Sequence, residues 1–92
     1  MGQRESIVED YLVKECKKRN FLIFKFTSPG INGVPDRMII TKKGEIFFIE
    51  TKALGETTRK LQKAIIKKMK DHKATVFVAD NRDEIDEILN KY

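Results

Sequence analysis

Apolar residues recur along the chain with two spacings, one typical of helices and one typical of strands. Helical spacing predicts three helices, and short runs of aromatic and β-branched residues predict four strands. The helices are predicted over about Gln3 to Arg19, from a cap at Thr57 or Thr58 to about Asp71, and onward from a cap at Asp80 or Asn81. The strands are predicted over Phe21 to Thr27, Asp36 to Thr41, Glu45 to Lys52 and Thr75 to Ala79. The resulting order is αβββαβα.

This order predicts a mixed sheet packed against helices. The short turn at Lys42-Lys43-Gly44 joins the second and third strands as an antiparallel hairpin, and the helix between the third and fourth strands lets those two run parallel. Three amphipathic helices can cover the apolar faces of such a sheet, which gives an α/β sandwich. With 92 residues, the chain is expected to form one domain over residues 1–92.

The charge composition favours a polyanionic partner. Lys and Arg outnumber Asp and Glu by 19 to 14, for a formal net charge of +5. Such an excess favours nucleic acid, although a merely soluble basic surface is an equal alternative. Cys16 and His72 are each the single residue of their type, which excludes an internal disulfide, a cysteine-based zinc site and a histidine cluster.

The same composition bears on location and assembly. The chain has no signal-peptide core and no apolar run near the ~20 residues of a membrane helix, so we expect a cytoplasmic protein without a membrane partner. A domain this short buries a modest core, and pairing with a second copy would bury more apolar surface. A homodimer is therefore expected.

Two acidic residues and a lysine are predicted to meet at one end of the sheet. Glu50 and Lys52 lie two positions apart on a strand, so they share a face at about 7 Å along the chain. The hairpin brings Asp36 back opposite Glu50 to within a residue or two. Carboxylates and a main-chain carbonyl, available at Thr51, are the hard oxygen ligands of Mg²⁺, and an adjacent ammonium offsets charge on a reacting phosphate. This grouping suits phosphodiester hydrolysis.

The E-x-K spacing by itself is not specific, because Glu15-Cys16-Lys17 repeats it on the first helix. The alternative interpretation of Glu50 and Lys52 is a surface salt bridge at a strand end. Context favours the catalytic interpretation, since Glu50 closes a hydrophobic strand and Pro35-Asp36 lies one hairpin upstream.

Two further polar residues lean toward the predicted core. Gln62 falls within the apolar stripe of the second helix, formed by Leu61, Ile65, Ile66 and Met69. A buried amide needs partners, which phosphate, water or Lys52 could supply. On the first helix, Glu5 lies on the flank of the apolar stripe and Glu9 about 40° further out. Glu5 is therefore the better candidate for an additional metal ligand, against the alternative of a solvated glutamate favoured by the helix dipole.

These residues also resemble a known family. The segments Gly33-Val34-Pro35-Asp36-Arg37 and Phe48-Ile49-Glu50-Thr51-Lys52, followed by Gln62, resemble the PD-(D/E)XK nuclease signature. The particular residues of these motifs are similar to those of the VRR-NUC branch, in its compact stand-alone form that is common in phages. Two further segments share this similarity: Arg4-Glu5-Ser6-Ile7-Val8-Glu9 and Lys25-Phe26-Thr27-Ser28-Pro29-Gly30. The resemblance extends from about Glu5 to the end of the chain.

The resemblance implies a restriction-endonuclease-like three-layer sandwich with an αβββαβ core, a mixed sheet and a C-terminal helix. It implies an Mg²⁺ ion, replaceable by Mn²⁺ and without a small-molecule cofactor, on Asp36, Glu50, Glu5 and the Thr51 carbonyl. It implies Lys52 as the catalytic lysine, and Gln62 and Glu5 as further catalytic positions. Stand-alone members are similar to Holliday-junction resolvases and act as homodimers, which implies branched DNA as the substrate, whereas larger relatives act on flapped DNA.

Contacts to DNA are expected around the site from Lys25, Ser28, Asn32 and Arg37, and from lysines on the first and second helices. Such charge runs are more often only solvated faces. Two alternatives to an enzyme remain: a non-catalytic DNA-binding module on the same fold, and a structural subunit whose acidic cluster binds metal. A flap or nicking nuclease is a third alternative, because all these substrates present the same phosphodiester.

Overall fold

A computed structural model describes residues 4–92. In chain order the elements are α1 (Glu5–Lys18), β1 (Leu22–Lys25), β2 (Arg37–Ile40), β3 (Ile46–Thr51), α2 (Lys60–Asp71), β4 (Val76–Ala79) and α3 (Arg82–Leu89). The predicted order αβββαβα is confirmed, while the predicted helix start at Gln3 lies outside the described residues. Within residues 4–92, no helix has both the length and the hydropathy needed to cross a membrane.

The four strands form one sheet in the order β1-β2-β3-β4. β1, β2 and β3 pair antiparallel in sequence, and β4 joins β3 in parallel. The predicted mixed sheet is therefore confirmed. The parallel step requires a crossover, and α2 supplies it between β3 and β4.

The β2–β3 hairpin fixes the register on which the site depends. Its turn contains Gly44 at a φ of +82°, a conformation that glycine adopts without steric cost. In the resulting register Arg37 lies opposite Ile49. The next pair outward is Asp36 and Glu50, so the two carboxylates face each other as the sequence predicts.

One face of the sheet is covered by α1 and α3, which also pack against each other. Phe47 lies at the centre of this layer, with its ring stacked on Tyr92 at 4.3 Å and edge-on to Phe77 at 5.8 Å. Asn81 caps α3 by accepting a hydrogen bond from the Glu84 backbone N–H at 2.9 Å, as predicted. The core comprises Val8, Leu12, Cys16, Ile39, Phe47, Ile49, Ala79, Ile85, Ile88 and Leu89.

On the opposite face, α2 covers the part of the sheet formed by β4. Ile66 is the buried apolar residue of this helix, at 6% exposure, and Gln62 is buried one turn earlier at 8%. The helices thus lie on both sides of the sheet, which is the predicted three-layer arrangement.

The start of α2 differs from the prediction. The helix begins at Lys60, and its N-cap position is Arg59 without a side-chain cap, so neither Thr57 nor Thr58 caps it. In the loop before this helix, the Gly55 backbone N–H donates to the Asp80 carboxylate at 2.9 Å, a contact with the end of β4. Leu61, predicted in the apolar stripe, is 55% exposed.

Two Ile→Val substitutions should change the free energy of unfolding by different amounts, because the two side chains differ in burial. Ile39→Val removes a methylene group from a site with 0% exposure and should lower the free energy of unfolding by about 0.5–1.5 kcal/mol. Ile31→Val, on a loop side chain that is 52% exposed, should change it by less than about 0.5 kcal/mol. Urea unfolding followed by circular dichroism measures both, and equal losses would contradict the assigned core.

Candidate active site

Three carboxylates from distant parts of the chain meet where the β2–β3 hairpin ends. Glu5 lies in the first turn of α1, Asp36 directly precedes β2, and Glu50 is near the end of β3. One carboxylate oxygen from each lies within 4.8 Å of the others. Glu5 is exposed, Asp36 is half-buried and Glu50 is 2% exposed. Three negative groups this close repel one another unless a cation lies between them.

Glu50 is held in place by donors on both of its oxygens. The Asp36 backbone N–H donates to Oε1 at 3.0 Å, and the Lys52 ammonium lies 3.1 Å from Oε2. The Lys52 side chain is 12% exposed and shares the face of Glu50, as strand alternation predicts. The alternative of a surface salt bridge does not hold for this pair, because both side chains are largely withdrawn from solvent.

The pKa values of the two inner carboxyl groups are raised. Burial raises the pKa of Glu50, and the charge of Asp36 raises it further, against hydrogen bonds from Lys52 and Gln62. Burial likewise raises the pKa of Asp36, with a contribution from the charge of Glu9 and opposition from nearby cations. The folded chain therefore carries these negative charges at a cost, which a bound cation would reduce.

Gln62 approaches this group from the first turn of α2. Its side chain hydrogen-bonds to Glu50, and its Oε1 is buried with no hydrogen-bond partner within residues 4–92. The close packing requires Gly33, at a φ of +95°, because a Cβ there would come within 3.1 Å of the Gln62 Cα. Gln62, which the sequence places within the apolar stripe of the second helix, is thus a buried amide whose oxygen accepts no hydrogen bond from residues 4–92.

A cavity of about 250 Å³ opens beside these residues. It is lined by Asn32, Gly33, Val34, Asp36, Lys52, Arg59, Leu61 and Gln62. A ligand in the cavity can therefore reach Asp36, Lys52 and Gln62.

The four positions predicted to contact DNA are placed differently from one another. Asn32 lines the cavity, and Lys25 is exposed on β1, close enough for its charge to act on Asp36. The Ser28 carbonyl accepts a hydrogen bond from the Ile31 backbone N–H at 3.2 Å within a turn. Arg37 is paired with Glu9 at 3.0 Å, and its side chain is 18% exposed.

Two glutamates of α1, Glu5 and Glu9, have different partners. Glu9 is held by the guanidinium, whereas Glu5 joins the carboxylate group. This agrees with the preference for Glu5 that helical spacing predicts. Thr51, whose main-chain carbonyl is the fourth predicted ligand, is fully buried, and its hydroxyl has no partner among the described residues.

Arg59 and Leu61 were missed as cavity residues by sequence reasoning. A helix beginning at Thr57 or Thr58 would place Arg59 within its first turn, whereas the observed start makes Arg59 the residue that opens α2 at the cavity mouth. The missing signal was a contact between the loop before α2 and the end of β4, which local sequence does not report.

The raised pKa of Asp36 predicts a pH-dependent stability difference. The charged carboxylate destabilises the folded, metal-free chain above its unfolded pKa of about 3.9, so Asp36→Asn should raise Tm at neutral pH when a chelator is present. The difference should shrink as pH falls through the folded-state pKa toward the unfolded value. Thermal unfolding by circular dichroism measures this effect.

Asp71→Asn is the matched control, because Asp71 is exposed and pairs with Lys67 on the surface. It should change Tm little across the same pH range. A metal-free Asp36→Asn variant that is less stable than the parent at neutral pH would refute the assigned direction.

The chain has detectable similarity to known proteins in both sequence and structure. No protein-family model matches it. It is 47% identical over 53 residues to "Putative nuclease p44" of Acyrthosiphon pisum secondary endosymbiont phage 1, a match that covers 58% of this chain and 57% of that protein. The chain thus spans little more than half the length of this curated relative.

A solved structure described as "VRR_NUC domain" superimposes with a TM-score of 0.90 and covers 98% of both chains at 24% sequence identity. Agreement over nearly the whole chain confirms the predicted sandwich fold. The chain therefore has the fold of a VRR-NUC domain, and a little more than half of it is similar in sequence to the phage protein named "Putative nuclease p44".

Proposed function

We propose that this chain is a DNA endonuclease that depends on a divalent metal ion, Mg²⁺ with Mn²⁺ as a substitute. The observation that supports the proposal is the meeting of Glu5, Asp36 and Glu50 within 4.8 Å, beside Lys52 and at an open cavity. Carboxylates, a buried ammonium and access for a ligand are the groups that phosphodiester hydrolysis needs.

The donor set suits a hard divalent cation. Glu5, Asp36, Glu50 and the Thr51 carbonyl would hold the ion, and all of them offer oxygen, the ligand atom that Mg²⁺ prefers. The raised pKa values of Asp36 and Glu50 indicate repulsion that a cation would offset. When bound, the ion supplies the positive charge that polarises a phosphate and acidifies a water molecule.

Lys52 and Gln62 would act on the phosphate and the attacking water. An ammonium group has three donors, and Lys52 uses one on Glu50, which leaves donors for a phosphate oxygen or the water. The unpartnered Oε1 of Gln62 would accept a hydrogen bond from that water and orient it. Because both side chains are fixed before substrate arrives, little reorganisation is required during the reaction.

Cationic and polar side chains near the cavity would position the DNA backbone. Asn32, on the loop between β1 and β2, and Arg59, at the start of α2, line the cavity, and Lys25 is exposed at the end of β1. The exposed lysines of α2 continue this basic surface: Lys60, Lys63, Lys67, Lys68 and Lys70. Binding that rests on such contacts weakens steeply as salt rises.

We further propose branched DNA, such as a Holliday junction, as the substrate and a homodimer as the active form in the cytoplasm. A junction is resolved by two cuts, and two copies supply two sites. The resemblance of the motifs to stand-alone VRR-NUC members, which are similar to Holliday-junction resolvases, supports this version of the function.

Removing the acidic oxygen or the ammonium should abolish cleavage. Asp36→Ala and Lys52→Ala should each reduce the rate by about 10³-fold or more, because each group acts on the charge that develops in the reaction. Labelled four-way, flapped, nicked and linear duplex DNAs with Mg²⁺, Mn²⁺ or chelator provide the measurement, and circular dichroism checks the fold.

Lys43→Ala, on an exposed lysine in the β2–β3 turn at the other end of the hairpin from Asp36 and Glu50, is the control and should cleave at a rate close to that of the parent. Parental rates from Asp36→Ala or Lys52→Ala would overturn the assigned roles. A wild-type chain that binds these DNAs without cutting any of them would instead be a non-catalytic binding module.

The two glutamates of α1 provide a matched test of the metal site. Glu5→Gln should weaken Mn²⁺ binding by about 10–100-fold, because it removes a charged candidate ligand. Glu9→Gln should have a much smaller effect, since Glu9 is engaged by Arg37. Titration calorimetry with the metal alone measures both, and equal affinities in the two variants would exclude Glu5 from the site.

A further inference from the structure

Two exposed apolar side chains lie beside the candidate active site, among groups that are mostly polar or basic. Leu61, in the first turn of α2, is 55% exposed and lines the cavity together with Lys52 and Arg59. Ile31 is 52% exposed and directly precedes Asn32, which lines the same cavity. Neither side chain can bind a metal ion or a phosphate group, so the site offers a ligand apolar contact in addition to charge.

The loop that carries Ile31 is held in a defined conformation by a tight turn. The Ile31 backbone N–H donates to the Ser28 carbonyl at 3.2 Å, and Gly30 has a φ of +83°. With Pro29 at the second position, these are the features of a type II turn, in which proline fixes one φ and glycine supplies the positive φ. The turn therefore displays the exposed side chain of Ile31 at its last position, on a stiff segment of the chain.

A second contact fixes this loop relative to α2. Gly33 packs so closely on the start of the helix that an added Cβ would lie 3.1 Å from the Gln62 Cα and 3.2 Å from the Leu61 carbonyl oxygen. Ile31 lies two residues before this contact, so the loop and the first turn of α2 form one rigid border of the cavity. Rigid groups lose little conformational entropy when a ligand covers them, which favours their use in binding.

DNA, the proposed substrate, exposes broad apolar surfaces where its bases unstack. In a fully paired duplex, neighbouring bases cover one another's faces, and a protein meets mainly phosphates, sugars and base edges. At a kink or a branch point the base faces become accessible, and isoleucine and leucine are among the side chains that proteins insert there. The cost of unstacking is lowest for a base that is already unpaired.

We propose that Ile31 and Leu61 contact the faces of unstacked bases next to the phosphate in the cavity, and so direct cleavage to DNA that is already distorted. This inference rests on the proposed nuclease function and gives its preference for branched DNA a basis within one copy of the chain. Lys52 and Arg59 would hold the backbone, while the two apolar side chains replace part of the stacking that the bases have lost. A paired duplex would gain no such contact.

Serine variants test this selectivity because they remove apolar surface without adding charge. Ile31→Ser and Leu61→Ser are compared with Leu54→Ser, on a leucine that is 48% exposed and lies beside Asn81 at the start of α3, outside the cavity. Cleavage by the full chain with Mg²⁺ is measured on a four-way junction, a mismatched duplex and a fully paired duplex. Each of the first two variants should lower the ratio of kcat/KM on distorted to paired DNA by about fivefold to tenfold, because partial apolar burial is lost. Leu54→Ser should keep the parental ratio.

A second measurement reports on the bases in the bound DNA. With Ca²⁺ in place of Mg²⁺, 2-aminopurine is placed in turn at each position beside the branch point. The parent should change the fluorescence at positions next to the branch, Ile31→Ser and Leu61→Ser should change it less, and Ile31→Leu should restore the parental signal. The serine variants should keep the parental dependence of affinity on salt, whereas Lys25→Ala, which removes a cation, should reduce its slope by about one.

Circular dichroism establishes that each variant is folded, which the exposed positions allow. Unchanged ratios in both Ile31→Ser and Leu61→Ser, or equal losses on distorted and paired DNA, would overturn the proposal. A parent that cuts the junction without altering 2-aminopurine at any position would also overturn it and leave the nuclease standing. A parent that alters the fluorescence and cuts no DNA would retain the base contact and refute the nuclease, and one that binds none of these DNAs would refute both.

Discussion

The close approach of Asp36 and Glu50 is the interaction on which the rest of the site depends. The register of the β2–β3 hairpin places them opposite each other, and the Asp36 backbone N–H holds one Glu50 oxygen while Lys52 holds the other. Glu5 then adds a third carboxylate from α1. Burial raises the pKa of both inner groups, so the chain maintains a repulsive, partly dry cluster whose natural complement is a cation.

Several groups of this site lower the stability of the folded chain when no ligand is bound. Glu50 is charged and almost fully buried, and Gln62 carries a buried oxygen without a partner in the described part of the chain. Each such group costs free energy in folding unless a ligand or water meets it. Gly33 contributes in the same direction, because its missing Cβ lets the loop approach α2 and form the cavity wall. These features are expected of a site that binds a ligand.

The two faces of the sheet divide the remaining tasks. The face under α1 and α3 is fully packed around Phe47 and provides the stability of a small domain. The other face is shared between α2, the carboxylate group and the apolar residues of β1, β2 and β3. Asp36 and Glu50 form the row next to Phe24, Met38 and Phe48, so the candidate active site adjoins this apolar surface on one sheet.

The sequence by itself determined the element order, the mixed sheet, the placement of Asp36 opposite Glu50 and the inward position of Glu5 on α1. Each follows from local periodicity or from a short hairpin, in which chain connectivity fixes the geometry. The tertiary structure alone decided the late start of α2, the role of Arg59 at the cavity mouth and the burial of Arg37 against Glu9. These depend on contacts between segments far apart in the chain, such as Gly55 with Asp80, whose energies no local pattern encodes.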